Sequence, residues 1–200
     1  MISIYLILLA SYLMGCFTTG YYLVRLVSGN DIRTVFSGNV GSRNVGRLLG
    51  TKGFILTFIG DAGKGLLAVW MAMYVSHESW FAMAALFAAT AGHIWPVQLR
   101  FQGGKGLATF TGGMILLQPL VLGMCLLLCA VLYPLIRGAT KTGLIALACS
   151  PLFMATVLLY GKAPFPVADM SLYCLLSAMV LYAHRSNIKK DFCGEQPGGE

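Results

Sequence analysis

Apolar stretches long enough to cross a bilayer recur along the whole chain: Met1 to Val24, Phe54 to Val75, Trp80 to Leu99, Leu107 to Ile136, Leu144 to Tyr160 and Val167 to Ala183. A hydrocarbon core about 30 Å thick takes about 20 apolar residues wound as a helix, because peptide groups in lipid must bond within their own segment. The expectation is an all-α, polytopic membrane protein forming one domain over residues 1–200. Only 10% of the residues are charged and 58% are hydrophobic, whereas a soluble domain carries about 25% charged residues. The first stretch reads as an uncleaved helix. Leu13-Met14-Gly15-Cys16 resembles a lipoprotein cleavage box, but no basic residues precede the apolar run, which continues through Cys16.

The fourth stretch is too long for one crossing. Its thirty residues would measure about 45 Å as a helix, and Gln118-Pro119 interrupts it, proline being a helix breaker. Two short crossings there, seven in all, put every basic loop on one side: Arg25 to Lys52, Arg100 to Lys105, Arg137 to Lys141 and Arg185 to Lys190. That leaves only Lys64, inside a span, and Lys162, outside, of fourteen basic residues. A single crossing would turn two basic segments outward, against the positive-inside bias. The predicted topology has an external N-terminus, a cytoplasmic C-terminal tail over 184–200, and cytoplasmic motif loops at about 28–52 and 100–106.

A net charge of +7 raises the question of nucleic acid. The basic residues sit in short loops between apolar spans, not in runs interleaved with aromatics, and so read as topology signals. The six cysteines, Cys16, Cys125, Cys129, Cys149, Cys174 and Cys193, are scattered and read as packing residues. No metal, cofactor or disulfide framework is expected.

Four motifs carry chemistry. In Ser37-Gly38-Asn39-Val40-Gly41-Ser42-Arg43-Asn44-Val45-Gly46-Arg47, glycines let amide groups turn to one point, Ser37, Asn39 and Asn44 add polar groups, and Arg43 and Arg47 add charge suited to phosphate. A plain basic loop is the alternative. In Phe101-Gln102-Gly103-Gly104-Lys105-Gly106, with Thr109 a turn later, glycines precede a helix start whose positive end attracts anions. Gly106 stands where a Walker loop needs Ser or Thr for magnesium, so a phosphate is expected and not a nucleotide. Asp61 and Lys64 lie inside an apolar span, where each charge costs about 2.5–3.5 kcal/mol on insertion scales and so turns inward. Their spacing allows a pair, either purely structural or presenting Lys64 to a ligand. His93 in Gly92-His93-Ile94-Trp95-Pro96, and His184 with Asn187 on one face if the last helix continues, complete the candidates. Two anion cradles, a buried lysine and two histidines suggest chemistry between phosphorylated substrates, at least one a lipid.

At these residues the sequence resembles the bacterial acyl-phosphate-dependent glycerol-3-phosphate acyltransferases, the PlsY family. The resemblance rests on Ser37 to Arg47, preceded by Asp31-Ile32-Arg33, and on Asp61 to Gly65, Gly92 to Pro96, Phe101 to Thr109 and His184 to Lys190. It implies seven membrane helices and transfer of a fatty acyl group from acyl phosphate to the 1-hydroxyl of glycerol 3-phosphate in the bacterial plasma membrane. The site would face the cytoplasm, and the products would be lysophosphatidate and phosphate. Ser37, His93, Lys105, His184 and Asn187 would then be the catalytic set. Gly38, Asn39, Gly41, Arg43, Asn44, Arg47, Lys64, Gly103, Gly104, Gly106 and Thr109 would bind substrate, with Asp61 supporting Lys64. The H-x4-D dyad of other acyltransferases is absent. Arg43 stands where the family motif usually has threonine, which keeps an altered acceptor or a non-catalytic paralogue open. A transporter of small phosphorylated anions is the other alternative.

Overall fold

The computed structural model describes residues 2–160 and 167–192. Lys162, read as external, Cys193, read as a packing cysteine, and the end of the tail lie outside the described residues. All regular structure among the described residues is helical. Five candidate spans are long and apolar enough to cross a membrane, or six when the last, bent pair of helices counts as one. The chain is a polytopic helical membrane protein, built as two units, Met1–Leu117 and Gln118–Glu200.

The first unit holds α1 (Ile2–Cys16), α2 (Thr19–Ser28), α3 (Ser42–Val75), α4 (Ser79–Ile94) and α5 (Leu107–Leu117), with short 3₁₀ turns at Ile32–Thr34 and Val97–Leu99. Glycines let these helices touch backbone to backbone, the usual device where lipid supplies no hydrophobic drive for helix association. Gly15 on α1 lies against the Ala89 carbonyl of α4, and Gly92 on α4 against that of Tyr12. Gly65 on α3 faces the Thr109 carbonyl of α5, and Gly112 on α5 faces that of Ala62.

The first span is not one continuous helix. It breaks after Cys16, with Thr18 in an extended conformation. An unbroken helix would bond Thr19 N–H to the Gly15 carbonyl, but Thr19 N–H donates instead to Asp61 Oδ1, at 3.2 Å. The polar loop is also shorter than its sequence implies: α3 starts at Ser42, capped at Gly41, and Gly50 (φ 70°, ψ −166°) breaks the helix before it continues as the span. Around that start, Val24, Ile32 and Val40 pack with Val45 of α3 in a small buried core.

The second unit holds α6 (Pro119–Ile136), α7 (Ala139–Tyr160), α8 (Val167–Ala183) and α9 (Arg185–Phe192). Its interior includes Leu144, Leu147, Met154, Tyr173, Leu176 and Val180. The long apolar stretch is interrupted where Gln118-Pro119 predicts, between α5 and α6. The condition that placed His184 and Asn187 on one face, a continuing last helix, is not met: α8 and α9 meet at His184 with a bend of 64°. His184 N–H bonds back to the Val180 and Leu181 carbonyls while its own carbonyl starts α9 by accepting from Ile188 N–H.

Candidate active site

The break in the first span explains the buried charges. Lys64 and Asp61, 5% and 1% exposed, pair at 3.0 Å. The Lys64 ammonium also donates to the Gly15 carbonyl at 3.0 Å and the Phe17 carbonyl at 2.9 Å, and lies 2.7 Å from His93 Nδ1. Gln98 Nε2 donates to the Cys16 carbonyl. Thus the three carbonyls freed by the break are each met by a side chain from α3 or the turn after α4, as backbone polar groups at membrane depth require. Sequence reasoning gave Lys64 to a phosphate; in the structure its donors are all directed at protein groups.

His93 Nδ1 thus lies between the Lys64 ammonium, at 2.7 Å, and Asp61 Oδ1, at 3.6 Å, and the ring turns its other nitrogen, Nε2, away from the pair. That nitrogen faces the second glycine loop, so closely that a Cβ on Gly104 would collide with it. The loop folds back onto the end of α4: Gly103 N–H donates to the Ile94 carbonyl at 3.1 Å and Gly104 N–H to that of His93 at 2.9 Å. The sequence reading turned these two amides toward an anion; they cap α4 instead. Lys105 is half-buried in this loop, next to the first-turn amides of α5, which helix geometry leaves without intrahelical acceptors. Gly106 makes the turn into α5 at φ 80°. Thr109 is fully buried, its hydroxyl without a protein partner.

The first motif is organised by Asn44. Its side chain is buried, accepts from Ser37 N–H at 3.2 Å and donates to the Ile32 and Val35 carbonyls at 3.3 and 2.9 Å. Asn44 is therefore a scaffold for the turn that presents the exposed Ser37, with Gly38 at φ 66° and Gly38 and Asn39 half-buried beside it. Gly41 caps α3, and Arg43 and Arg47 are exposed on its first turns.

Arg33 ties the two motif loops together. Its guanidinium clasps Asp31, closest at 2.6 Å, donates to the Leu99 carbonyl at 3.1 Å and lies over the Tyr21 ring at 5.1 Å. That hydrogen-bonded guanidinium holds the Asp31 carboxyl below its ordinary value, against an opposing push from burial. Gln98 and Tyr12, whose hydroxyl donates to the Trp95 carbonyl at 2.9 Å, are the residues sequence reasoning passed over, and Arg33 entered it only within Asp31-Ile32-Arg33. A glutamine within an apolar span was the available signal.

In the second unit, His184 is buried with Nδ1 2.8 Å from the Val180 carbonyl. Asn187 is half-buried on α9.

The fold and these motifs define a class: an integral membrane protein that gathers two glycine-rich, basic loops beside a buried Asp–Lys–His cluster. The glycerol-3-phosphate acyltransferase family model matches residues 5–194, and the chain belongs to that family. Glycerol-3-phosphate acyltransferase 1 of Bacillus cereus is 39% identical over 181 residues, covering 90% of this chain and 96% of the relative. The Clostridioides difficile glycerol-3-phosphate acyltransferase is 37% identical over 193 residues, covering 94% and 91%. Among solved structures, PlsY, an integral membrane glycerol 3-phosphate acyltransferase, superposes in its glycerol 3-phosphate form with a TM-score of 0.86 at 31% identity, over 98% of this chain and 96% of that one. Its lysophosphatidic acid form gives 0.82 at 29% identity with the same coverage.

Proposed function

We propose that this protein transfers a fatty acyl group from acyl phosphate to the 1-hydroxyl of glycerol 3-phosphate, making lysophosphatidate at a cytoplasm-facing site in a bacterial plasma membrane. Family membership supports the acyl transfer and the acceptor. The acyl phosphate donor is inferred from the chemistry of the loops: two anion-directed segments serve two phosphates. The observation that carries the reading is the bond from Arg33 to the Leu99 carbonyl, which joins the Ser37 loop to the segment leading into Lys105.

Acyl phosphate is a mixed anhydride, so its carbonyl carbon is already activated. The acceptor's 1-hydroxyl oxygen attacks that carbon, the bond from carbon to the phosphate oxygen breaks, and the departing phosphate takes the hydroxyl proton. Positioning and charge stabilisation supply the catalysis. Ser37, Asn39, Arg47 and Lys105 hold the phosphates, and His93 presents Nε2 toward the Gly104 loop. Lys64, enclosed by protein groups, acts through His93 as a positioning residue. His184 and Asn187 retain their sequence-based assignment to the catalytic set, each to be tested by substitution.

The test is lysophosphatidate formation by the purified chain from palmitoyl phosphate and labelled glycerol 3-phosphate, with acyl-CoA as parallel donor. Product from acyl phosphate alone is expected. Ser37→Ala and Lys105→Ala should each lower the rate by about 10²–10³, the range for losing one preorganised donor. Full activity in either variant, or reaction with acyl-CoA only, would overturn the assignment.

A further inference from the structure

The second glycine loop leaves α4 through a turn that its own residues disfavour. After the 3₁₀ turn at Val97–Leu99, Arg100 (φ 54°, ψ 41°) and Phe101 (φ 62°) follow one another in the left-handed region, where a side chain crowds the next carbonyl and glycine is the usual occupant. Of the four non-glycine residues with positive φ among the described residues, a third, Phe36, directly precedes Ser37. Such conformations persist only where surrounding contacts over-determine them. Backbone bonds close the turn from inside: Arg100 N–H donates to the Val97 carbonyl at 3.2 Å, Phe101 N–H to that of Pro96 at 3.0 Å and Gln102 N–H to that of Leu99 at 3.1 Å. Two side-chain bonds hold it from outside. Arg33 donates to the Leu99 carbonyl, and Gln98 Nε2 reaches out of the turn to the Cys16 carbonyl at the break of the first span, with the Tyr22 hydroxyl 3.4 Å from the same nitrogen. Tyr22 stacks across that break on Phe17, ring centroids 4.6 Å apart and planes 7° from parallel.

We propose that Gln98 is a positioning residue for acyl transfer: it moors the strained Val97–Phe101 turn to the broken first span and so fixes the direction in which Gly103 to Lys105 leave α4. Gln98 is exposed, so its contribution is the bond it makes and not apolar burial. Two residues beyond Phe101, the Gly103 and Gly104 amides bond back to the Ile94 and His93 carbonyls, and Gly104 lies against His93 Nε2. A turn that relaxes toward an extended backbone at Arg100 or Phe101 therefore shifts Lys105 and the contact with His93 together, and misplaced groups lose rate steeply. The effect on rate rests on the acyl-transfer reading above; the mooring rests on the hydrogen bonds of the turn.

The test is a set of variants of the full chain in phosphatidylcholine nanodiscs, followed by lysophosphatidate formation and by hydrogen exchange. Gln98→Leu keeps the bulk and loses the donor. It should lower kcat about tenfold, the order of one lost hydrogen bond, and leave KM for glycerol 3-phosphate unchanged. Gln98→Lys, again a donor of sufficient reach, should restore most of the rate. The decisive arm uses Arg100→Gly, because glycine accepts a φ of 54° without strain. In that background Gln98→Leu should cost little, since the turn keeps its shape unaided. An equal loss in both backgrounds would mean that Gln98 only satisfies the Cys16 carbonyl and overturns the proposal, as would a parent-like kcat for Gln98→Leu. In hydrogen exchange Gln98→Leu should lose protection at Gly103 and Gly104 and keep it within α4; a loss along α4 as well is general loosening and overturns the positioning role. If the parent chain makes no lysophosphatidate, the acyl-transfer reading fails, and exchange at Gly103 and Gly104 in the two backgrounds decides the mooring by itself.

Discussion

Lys64 is held by more protein groups than any other cation described here. Removing it leaves Asp61 buried at 1% exposure, with Thr19 N–H still donating to it, and strips the Gly15 and Phe17 carbonyls of their partner. Breaking one side of a buried ion pair costs about 3–5 kcal/mol, so Lys64→Met should lower unfolding stability by that order in detergent. Asp61→Asn added to Lys64→Met should recover part of the loss, since it removes the stranded charge; a double variant as unstable as the sum of both singles would refute the coupling. The pair itself was legible from its i,i+3 spacing. Its engagement with the first span was not, because those carbonyls become available only when that span breaks, and no sequence rule marks Phe17-Thr18 as a break. Asp31 yields a second test at this scale. Its folded carboxyl titrates lower than an unfolded aspartate because of Arg33, so its contribution is complete above the ordinary value of about 3.9 and fades as pH falls through the folded value. Protection of residues 31–44 against hydrogen exchange, taken relative to the intrinsic amide rate at each pH, should therefore fall on acidification in the parent chain, whereas Asp31→Asn should show low protection already at neutral pH.

At the scale of elements, glycine placement separates packing from convenience within a single motif. Gly65 lies against the Thr109 carbonyl of α5, whereas a Cβ at Gly63, two residues earlier on α3, would meet nothing within 4 Å. Gly63→Ala should leave stability unchanged or raise it by roughly 0.5–1 kcal/mol, the helix-interior difference between the two residues. Gly65→Ala must push α5 away and should destabilise. Paired thermal melts would check this, and equal behaviour of the two variants would mean that α3 and α5 do not cross at Gly65. Gly104→Ala should instead strike activity, because its methyl group would displace the His93 ring. The sequence marked all three glycines as motif residues but could not rank them. Ranking needs the neighbouring helix, and neighbours across a bilayer leave no periodic trace in a chain whose helices are apolar on nearly every face. The same limit hid the start of α3 at Ser42, since polar residues there read as loop until Asn44 is seen tying the turn from inside.

At the scale of the whole molecule, the number of crossings turns on α5. Its eleven residues would rise only about 16 Å, half of a hydrocarbon core of about 30 Å. Length alone thus argues against a full crossing, but charge argues for one, because counting α5 and α6 separately keeps Arg137 and Lys141 on the side of Arg100 and Lys105. The chain does break at Gln118-Pro119, and tight backbone contact of Gly112 with α3 gives a short helix a protein surface on which to satisfy its depth. The decision between the two is experimental. In a variant with its native cysteines replaced by serine, His77→Cys reports the turn after α3 and Gly138→Cys the turn after α6. Seven crossings with the N-terminus outside place the first turn outside and the second inside. A membrane-impermeant maleimide added to intact cells should then label His77→Cys at once and Gly138→Cys only after the membrane is opened. Labelling of both from outside would mean that α5 and α6 make one crossing, and it would carry the basic C-terminal helix, with His184 and Asn187, to the opposite side of the membrane from Ser37 and Lys105, removing both from the proposed chemistry.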